Sequence, residues 1–335
     1  MHNKTSGTIT RRDFLRDGTA GVAGTALGIS AMAHAYGQAG EGAAADKSRV
    51  VLVRNANSIS GPGTLDAAIV EQMLDKAVCS LLDESSKAPA WGKLFSSDDV
   101  VGIKVTLMMT TPRQELMTAI VNGLRSAGLP DKNIFFFDRG HEWADLEELK
   151  GRGTRLEYEP TGYCTVVTQK ATKLINVPGM KTHGLSGIGV AVKNWVGALG
   201  AHVLPISRNK DALFADIHKS ACADLGRIIA NSPIKDKCVL NVVDAFEPIF
   251  GGGPQFDPRH RWAYNGLLVS RDPVAVDIVC GKVIQAKRDE FKGEPWKIAP
   301  PLRHLVVADK EYGLGQSDPD KIELIKLGDT DGMLV

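Results

Sequence analysis

Between residues 100 and 138 the chain reads VVGIKVTL (100–107), RQELMTAIVNGLRSA (113–127) and NIFFFD (133–138). The two apolar runs predict buried strands, and the middle run predicts a helix that Gly128 and Pro130 bring to an end. Strands joined through a helix of this length favour parallel pairing, with helices packed on the sheet. We therefore expect an α/β fold with a mostly parallel sheet and helices on both faces.

The same alternation continues on either side of this unit. Helices are predicted at 64–82, 212–230 and 274–285, and strands at 50–54, 173–177, 238–244 and 267–270. The composition agrees, because 335 residues that are 43% hydrophobic can build a large core, and 35 glycines with 16 prolines indicate many tight turns.

The charge balance excludes one class of partner. Forty basic and 39 acidic side chains give a formal net charge of +1. A chain so close to neutrality has no global field that would attract nucleic acid or anionic lipid. We therefore expect no nucleic acid among its partners.

The N-terminus has the features of an export signal. TRRDFLR at residues 10–16 is followed by a Gly/Ala-rich apolar run, 18–33, and by Ala33-His34-Ala35, a small-x-small cleavage pattern. The alternative is an amphipathic first helix, in which each of four glycines would cost roughly 1 kcal/mol relative to alanine. The pattern predicts a twin-arginine signal peptide at 1–35, a flexible leader at 36–48 and an α/β domain at 49–330.

This signal predicts a periplasmic or extracellular protein that meets the twin-arginine translocase during export. The apolar run is shorter than the roughly 20 residues that span a bilayer, so we expect no membrane span in the mature protein. Passengers of this pathway often acquire a metal or cofactor before export, which makes a transition metal or a redox partner possible.

The cysteines limit which cofactors the chain could hold by itself. The five cysteines are widely spaced and contain no C-x-x-C pair; they stand at positions 79, 164, 222, 238 and 280. We therefore expect no self-contained iron–sulfur cluster and no structural zinc site.

Polar side chains follow several predicted strands. Asp138 ends the strand at 133–138, His141 follows it, and Asp244 ends the strand at 238–244. Because ligands of open parallel sheets bind at the carboxyl ends of the strands, these groups are candidates for one site. The alternative is that they are ordinary turn and capping residues.

The segment LINVPGMKTHGLSGIGVAVKNWVGALGAH, residues 174–202, combines charged groups with many small residues. Its KTH (181–183) and KN (193–194) pairs resemble the hallmark of the domain-of-unknown-function 362 family. VGIKV (101–105), DPVAVD (272–277) and GLG (313–315) match that family as well. The resemblance covers roughly residues 50–328 and implies a domain of this type, whose function is unsettled.

A second and more distant resemblance concerns the same segment. His183, Gly187 and Lys193 reproduce the spacing H-x3-G-x5-K of the N-terminal domain of nickel-pincer lactate racemase. In that enzyme the histidine is catalytic and the lysine holds the cofactor, and the resemblance implies similar roles here. A histidine can move a proton near pH 7, and a lysine supplies a charge or a covalent amine.

These observations yield three sets of candidate site residues. The predicted catalytic residues are His183, Lys193 and Lys181; the predicted cofactor-binding residues are Lys193, Asn194, Gly187 and Lys104; the predicted metal ligands are His202, Asp138, His141, Asp244 and Asp277. The alternative for the glycine-rich segment is a turn with solvated lysines and a helix-capping histidine. For Asp272, which precedes a proline, the pattern favours a helix N-cap.

Two classes of function remain open. The first is a metal- or cofactor-dependent enzyme that acts on a small anionic substrate through the Lys-Thr-His and Lys-Asn residues. The second is a non-catalytic ligand-binding or electron-transfer accessory protein that uses the same groups without turnover.

Overall fold

The computed structural model describes residues 47–108, 110, 112–139, 156–204, 212–253, 255 and 257–335. The predicted signal peptide and almost all of the predicted leader therefore lie outside the described residues, as does His141. The strands are β1 Ser48–Arg54, β2 Ile59–Gly61, β3 Thr64–Leu65, β4 Val101–Lys104, β5 Ile134–Phe137, β6 Lys173–Asn176, β7 Gly179–His183, β8 Gly187–Ile188, β9 Cys238–Ile249, β10 Gly266–Ser270 and β11 Ile322–Gly328.

The main sheet has the strand order β11-β1-β10-β9-β6-β4-β5, and β7 pairs with β9 and β8 beside this path. Strands β9, β6, β4 and β5 are mutually parallel neighbours, and β1 is parallel to β11. In this path β10 alone runs against its two neighbours. The expectation of an α/β fold with a mostly parallel sheet is confirmed.

The α-helices are α1 Ala67–Leu81, α2 Lys87–Leu94, α3 Gln114–Ser126, α4 Ala191–Asn194, α5 Gly226–Ala230, α6 Ile234–Lys237, α7 Pro273–Lys292 and α8 Arg303–Lys310. The sheet separates two apolar clusters, because successive residues of a strand point to opposite faces. On β1, Val51 and Val53 pack with α1, α2 and α3, whereas Val50 and Leu52 pack with α7 and α8. Helices therefore cover both faces, as predicted.

Among the described residues, every helix is too short or too polar to serve as a membrane span.

Local signals place several helix ends correctly. The carboxylate of Asp272 accepts hydrogen bonds from the backbone N–H groups of Val274 and Ala275, both at 2.8 Å, and Pro273 opens α7. The predicted N-cap is therefore confirmed. The predicted helix at 64–82 begins only at Ala67, because Asp66 caps it through the N–H of Ile69.

The predicted helix at 212–230 is largely wrong. Only Gly226–Ala230 is α-helical, and a 3₁₀ segment, Ser220–Leu225, precedes it. Ser220, Ala221 and Cys222 have φ values of 52°, 58° and 58°. This left-handed backbone costs roughly 1–2 kcal/mol per L-residue, so tertiary packing against α8 must override the local preference.

After residue 177 the glycine-rich segment forms a second strand and a hairpin, and not the turn that was the alternative for it. β7 and β8 pair antiparallel, with Thr182 opposite Ile188 and His183 opposite Gly187. Gly187 has a φ of 81°, which favours glycine. β7 also lies parallel to β9, which continues to Ile249. This addition positions the Lys-Thr-His residues on a strand.

Candidate functional site

A cleft of about 530 Å³ lies where β4, β5 and β7 end. Its walls come from the segments after β4 and β5, from β7, from the β7–β8 hairpin and from α4. The lining residues are Thr106, Leu107, Met108, Asp138, Arg139, Lys181, His183, Leu185, Gly189, Lys193, Asn194, Val196 and His218. All three predicted catalytic residues line this cleft, although their roles stay predictions.

Strand geometry and the position of Gly189 show that the three predicted catalytic residues lie close together. Lys181 and His183 are two residues apart on β7, so their side chains leave the strand on the same face. A Cβ atom at Gly189 would lie 3.4 Å from Lys193 Cδ and 3.5 Å from His183 Cβ, both ordinary contact distances. The stems of His183 and Lys193 therefore lie on either side of one backbone position.

His183 is held as a neutral imidazole with a defined tautomer. Its Nδ1 accepts a hydrogen bond of 3.2 Å from the backbone N–H of Leu185, so the neutral ring carries its proton on Nε2. Burial, followed by the positive charge of Lys193, lowers the pKa of His183 to about 3. His183 therefore offers the cleft an N–H donor at neutral pH.

Lys181 and Lys193 are amines in a poorly solvated site. Burial, followed by the charge of Lys104, lowers the pKa of Lys181 to about 7. Lys181 Nζ lies 3.4 Å from Thr110 Oγ1, a long hydrogen bond. Burial also lowers the pKa of Lys193. In the described part of the chain Lys193 Nζ has neither a hydrogen-bond acceptor nor a carboxylate within ion-pair distance.

The acidic residue of the cleft, Asp138, is already neutralised. Its Oδ1 lies 2.8 Å from the Nζ of Lys104, and its Oδ2 accepts the backbone N–H of Leu107 at 2.8 Å. Lys104 is fully buried and also donates to the carbonyl of Val105 and to Asn194. A Cβ at Gly197 would lie 2.1 Å from Asp138 Oδ1, so this glycine makes room for the ion pair.

Two further basic side chains were missed by the sequence analysis. Arg139 and His218 line the cleft, and the Nη1 of Arg139 is buried with no hydrogen-bond partner among the described residues. Burial, followed by the charge of Lys193, lowers the pKa of His218 to about 4. His218 belongs to the segment predicted as a helix, and no sequence signal connected it with the site; Arg139 directly follows Asp138.

A chain of side-chain amides connects the cleft to the interior of the sheet. Asn194 Oδ1 accepts hydrogen bonds from Thr106 Oγ1 at 2.8 Å and from Lys104 Nζ at 3.1 Å. Asn194 Nδ2 donates to Asn176 Oδ1 at 2.8 Å, and Asn176 Nδ2 donates to Asn241 Oδ1 at 2.9 Å. These bonds hold Asn194 and orient Lys104, so Asn194 acts here as a positioning residue.

Asp277 holds the segment that carries Lys193. Its two carboxylate oxygens accept the backbone N–H groups of Ala191 and Val192 at 2.6 and 3.0 Å, at the start of α4. Asp277 is fully buried on α7, and burial raises its pKa to about 7 although these two hydrogen bonds oppose the rise. Asp277 is therefore engaged by the backbone and does not reach the cleft.

The predicted metal ligands do not converge. Asp138 pairs with Lys104 and Asp277 caps α4, while Asp244 lines a separate pocket of about 340 Å³ beside Arg113 and Glu247. His202 is exposed and its ring contacts Tyr158 edge-on. Within the described ranges, no three His, Cys, Asp or Glu side chains lie close enough together to bind a metal ion. The described members of the expected metal set are therefore not brought together, and the carboxylates of Asp138 and Asp277 already bind groups of the chain itself.

The predicted cofactor-binding residues divide into two pairs. Lys193 and Asn194 line the cleft. Lys104 lies behind its wall with its donors in use, and Gly187 forms the hairpin turn, where a Cβ would lie 2.4 Å from the carbonyl oxygen of Pro300. Neither Lys104 nor Gly187 faces the cleft, so a direct contact of either with a ligand there is not supported.

Comparison with known families supports part of the resemblance seen in the sequence. Residues 160–282 match the family model described as Domain of unknown function (DUF362), a range that includes Lys181, His183 and Lys193. This match supports the family and carries no activity with it. Comparison with curated proteins and with solved structures gives no match.

Proposed function

We propose that the cleft binds a small organic anion and that the protein is an enzyme acting on this anion. One observation carries the proposal. Arg139, Lys181 and Lys193 line the cleft, while the charge of Asp138 is matched by Lys104. Buried charges without a partner are costly, and an anionic ligand would supply the partner that Lys193 and the Nη1 of Arg139 lack among the described residues.

The site groups favour a proton transfer to or from the bound anion. Lys193 and Arg139 would bind the anionic group, and the Nε2–H of His183 would donate a hydrogen bond to it. Lys181, with a pKa of about 7, is a neutral amine in a large fraction of molecules near neutral pH and can accept a proton. Lys181 is therefore the proposed base and His183 the proposed hydrogen-bond donor.

A covalently held organic cofactor is a second candidate role for Lys193, in place of its charged contact with the anion, and the residues fit it better than a metal bound by side chains alone. The described residues bring no three metal-binding side chains together, so no step is assigned to a metal. Lys193 is an amine with a lowered pKa at the cleft wall, which suits a covalent bond to a carbonyl or acyl group. Intact-mass and elemental analysis of the protein isolated from its native cells tests this point: an adduct that maps to Lys193 supports it, and an unmodified Lys193 contradicts it.

Replacing Lys193 with methionine tests the anion site. The variant removes the charge and keeps the length of the side chain, so we expect binding of butyrate or inorganic phosphate, whichever the wild-type protein binds, to weaken at least tenfold in titration calorimetry. Because Lys193 is poorly solvated and forms no ion pair among the described residues, its replacement by methionine should not lower the free energy of unfolding.

Lys282→Met is the matched control, because Lys282 is exposed on α7 and does not line the cleft. It should bind these anions like the wild-type protein. Equal affinity in the Lys193 and Lys282 variants would contradict the proposed anion site. If the wild-type protein binds butyrate but does not exchange the hydrogens on its α-carbon with D₂O, the enzyme part of the proposal fails and a non-catalytic binding protein remains.

We also propose export through the twin-arginine pathway, because Arg11 and Arg12 precede an apolar Gly/Ala-rich run. The translocase recognises the arginine pair, so Arg11→Lys together with Arg12→Lys should leave the precursor in the cytoplasm. Fractionation and immunoblotting measure this outcome, with Arg16→Lys, outside the pair, as the control. An unchanged periplasmic yield of the double variant would rule out the twin-arginine assignment.

A further inference from the structure

The mouth of the cleft is apolar and unusually exposed. Met108 is 58% exposed and Leu185 is 45% exposed, and both line the cleft together with Leu107 and Val196. Single exposed apolar residues are common, but several that share the wall of one concave site are a feature of ligand-binding surfaces. We call Met108, Leu185, Leu107 and Val196 the apolar rim.

Charge and exposure divide the cleft into two regions. Lys181 is only 6% exposed and His183 only 9%, while Lys193 and Arg139 are partly buried. Two members of the apolar rim, Met108 and Leu185, are the most exposed side chains of the lining. A ligand that matches both regions has an anionic group at one end and an apolar body at the other.

We infer that the ligand of this cleft is an amphipathic organic anion, with an aliphatic or aromatic body that contacts the apolar rim. This inference rests on the proposed anion site and names its ligand class. The cleft volume of about 530 Å³ supports a body of several carbon atoms, since a volume of about 30 Å³ holds one water molecule. A two-carbon acid would leave most of the cleft filled with water.

The occupant of the rim is the body of this ligand rather than a second protein. The rim adjoins the cations, so a molecule that covers it also reaches Lys181 and Lys193. Beside Lys181 and Lys193 the ligand needs a single anionic group, and this group must lie close to the apolar chain that contacts the rim.

The test is a series of linear carboxylates, acetate, butyrate and hexanoate, titrated into the mature protein by calorimetry. Each methylene buried against the rim should tighten binding roughly threefold to fourfold, so hexanoate should bind on the order of 100-fold more tightly than acetate. Leu185→Asn should remove most of this dependence on chain length. Leu213→Asn is the matched control, because Leu213 is 55% exposed and does not line the cleft.

The outcomes separate this inference from the proposal on which it depends. Equal affinity for acetate and hexanoate, with binding still lost in Lys193→Met, would overturn the amphipathic ligand and leave the anion site intact. Hexanoate binding that survives in Lys193→Met would overturn the anion site itself. Self-association that Leu185→Asn abolishes, with no change in hexanoate affinity, would assign the rim to a second copy of the chain and overturn the inference.

Discussion

Asp138→Asn is expected to lower the free energy of unfolding by about 3–5 kcal/mol, the usual cost of breaking a buried ion pair by removing one partner. Lys104 would keep its charge at 0% exposure without a counter-ion. The new amide would also be mismatched, because Asp138 Oδ1 accepts from Lys104 Nζ and from the N–H of Arg139, while Oδ2 accepts the N–H of Leu107. One of these donors would face the amide NH₂ group.

Urea unfolding followed by circular dichroism measures the loss, and Asp131→Asn is the matched control. Asp131 pairs with Arg125 at 2.8 Å, but both side chains are about half exposed, so this change should cost no more than about 1 kcal/mol. The double variant Lys104→Met, Asp138→Asn should be more stable than Asp138→Asn alone, because it no longer buries an unpaired charge. If Asp138→Asn lowered the free energy of unfolding by less than about 1 kcal/mol, this result would contradict the buried ion pair between Lys104 and Asp138.

The second large effect is expected in Asp277→Asn, where the free energy of unfolding should depend on pH differently from that of the wild-type protein. Burial raises the pKa of Asp277 from 3.8 to about 7 in the folded protein, so between these values the native state binds a proton that the unfolded state has lost. The contribution of Asp277 to stability is therefore fully present below pH 3.8 and is lost as the pH rises through 7. The stability of the wild-type protein relative to the variant should fall by about 1.4 kcal/mol per pH unit in this window.

Urea unfolding of both proteins at pH 5, 6, 7 and 8 measures this difference in stability. The other titratable groups are common to both proteins, so their contributions to the difference cancel to first order. The asparagine keeps one oxygen acceptor for the N–H groups of Ala191 and Val192, so the variant should still fold. Parallel stability curves for the two proteins from pH 5 to 7 would contradict the raised pKa of Asp277.

Regular periodicity explains which elements were predicted correctly. The strand–helix–strand unit at 100–138 appears as β4, α3 and β5, and the cap before Pro273 appears as predicted. Such signals are local, because they depend on residues a few positions apart. The left-handed turn at Ser220–Cys222 has no such signal, since buried Phe214, Ile217 and Leu225 imitate the spacing of an amphipathic helix.

In the candidate site too, residues close in sequence were predicted better than contacts between distant segments. Lys181 and His183 share a face through strand alternation, and Lys193 lines the same cleft, so residues close in sequence were grouped correctly. The carboxylates were not grouped correctly, because sequence spacing cannot show from which donor an oxygen already accepts a hydrogen bond. Asp277 meets the N–H groups of Ala191 and Val192, which are more than 80 positions away along the chain.

By itself, the sequence determined the α/β class, the helix cap at Asp272 and the lysine–histidine group of one short segment, because each of these follows from local spacing. Only the tertiary structure decided which charges remain unmatched. Packing of α7 against α4 occupies Asp277, and the buried Lys104 neutralises Asp138. Among the described residues, Lys193 and Arg139 thereby face the cleft without a carboxylate within ion-pair distance, because the long-range contacts that pair opposite charges form only when the sheet and its helices assemble.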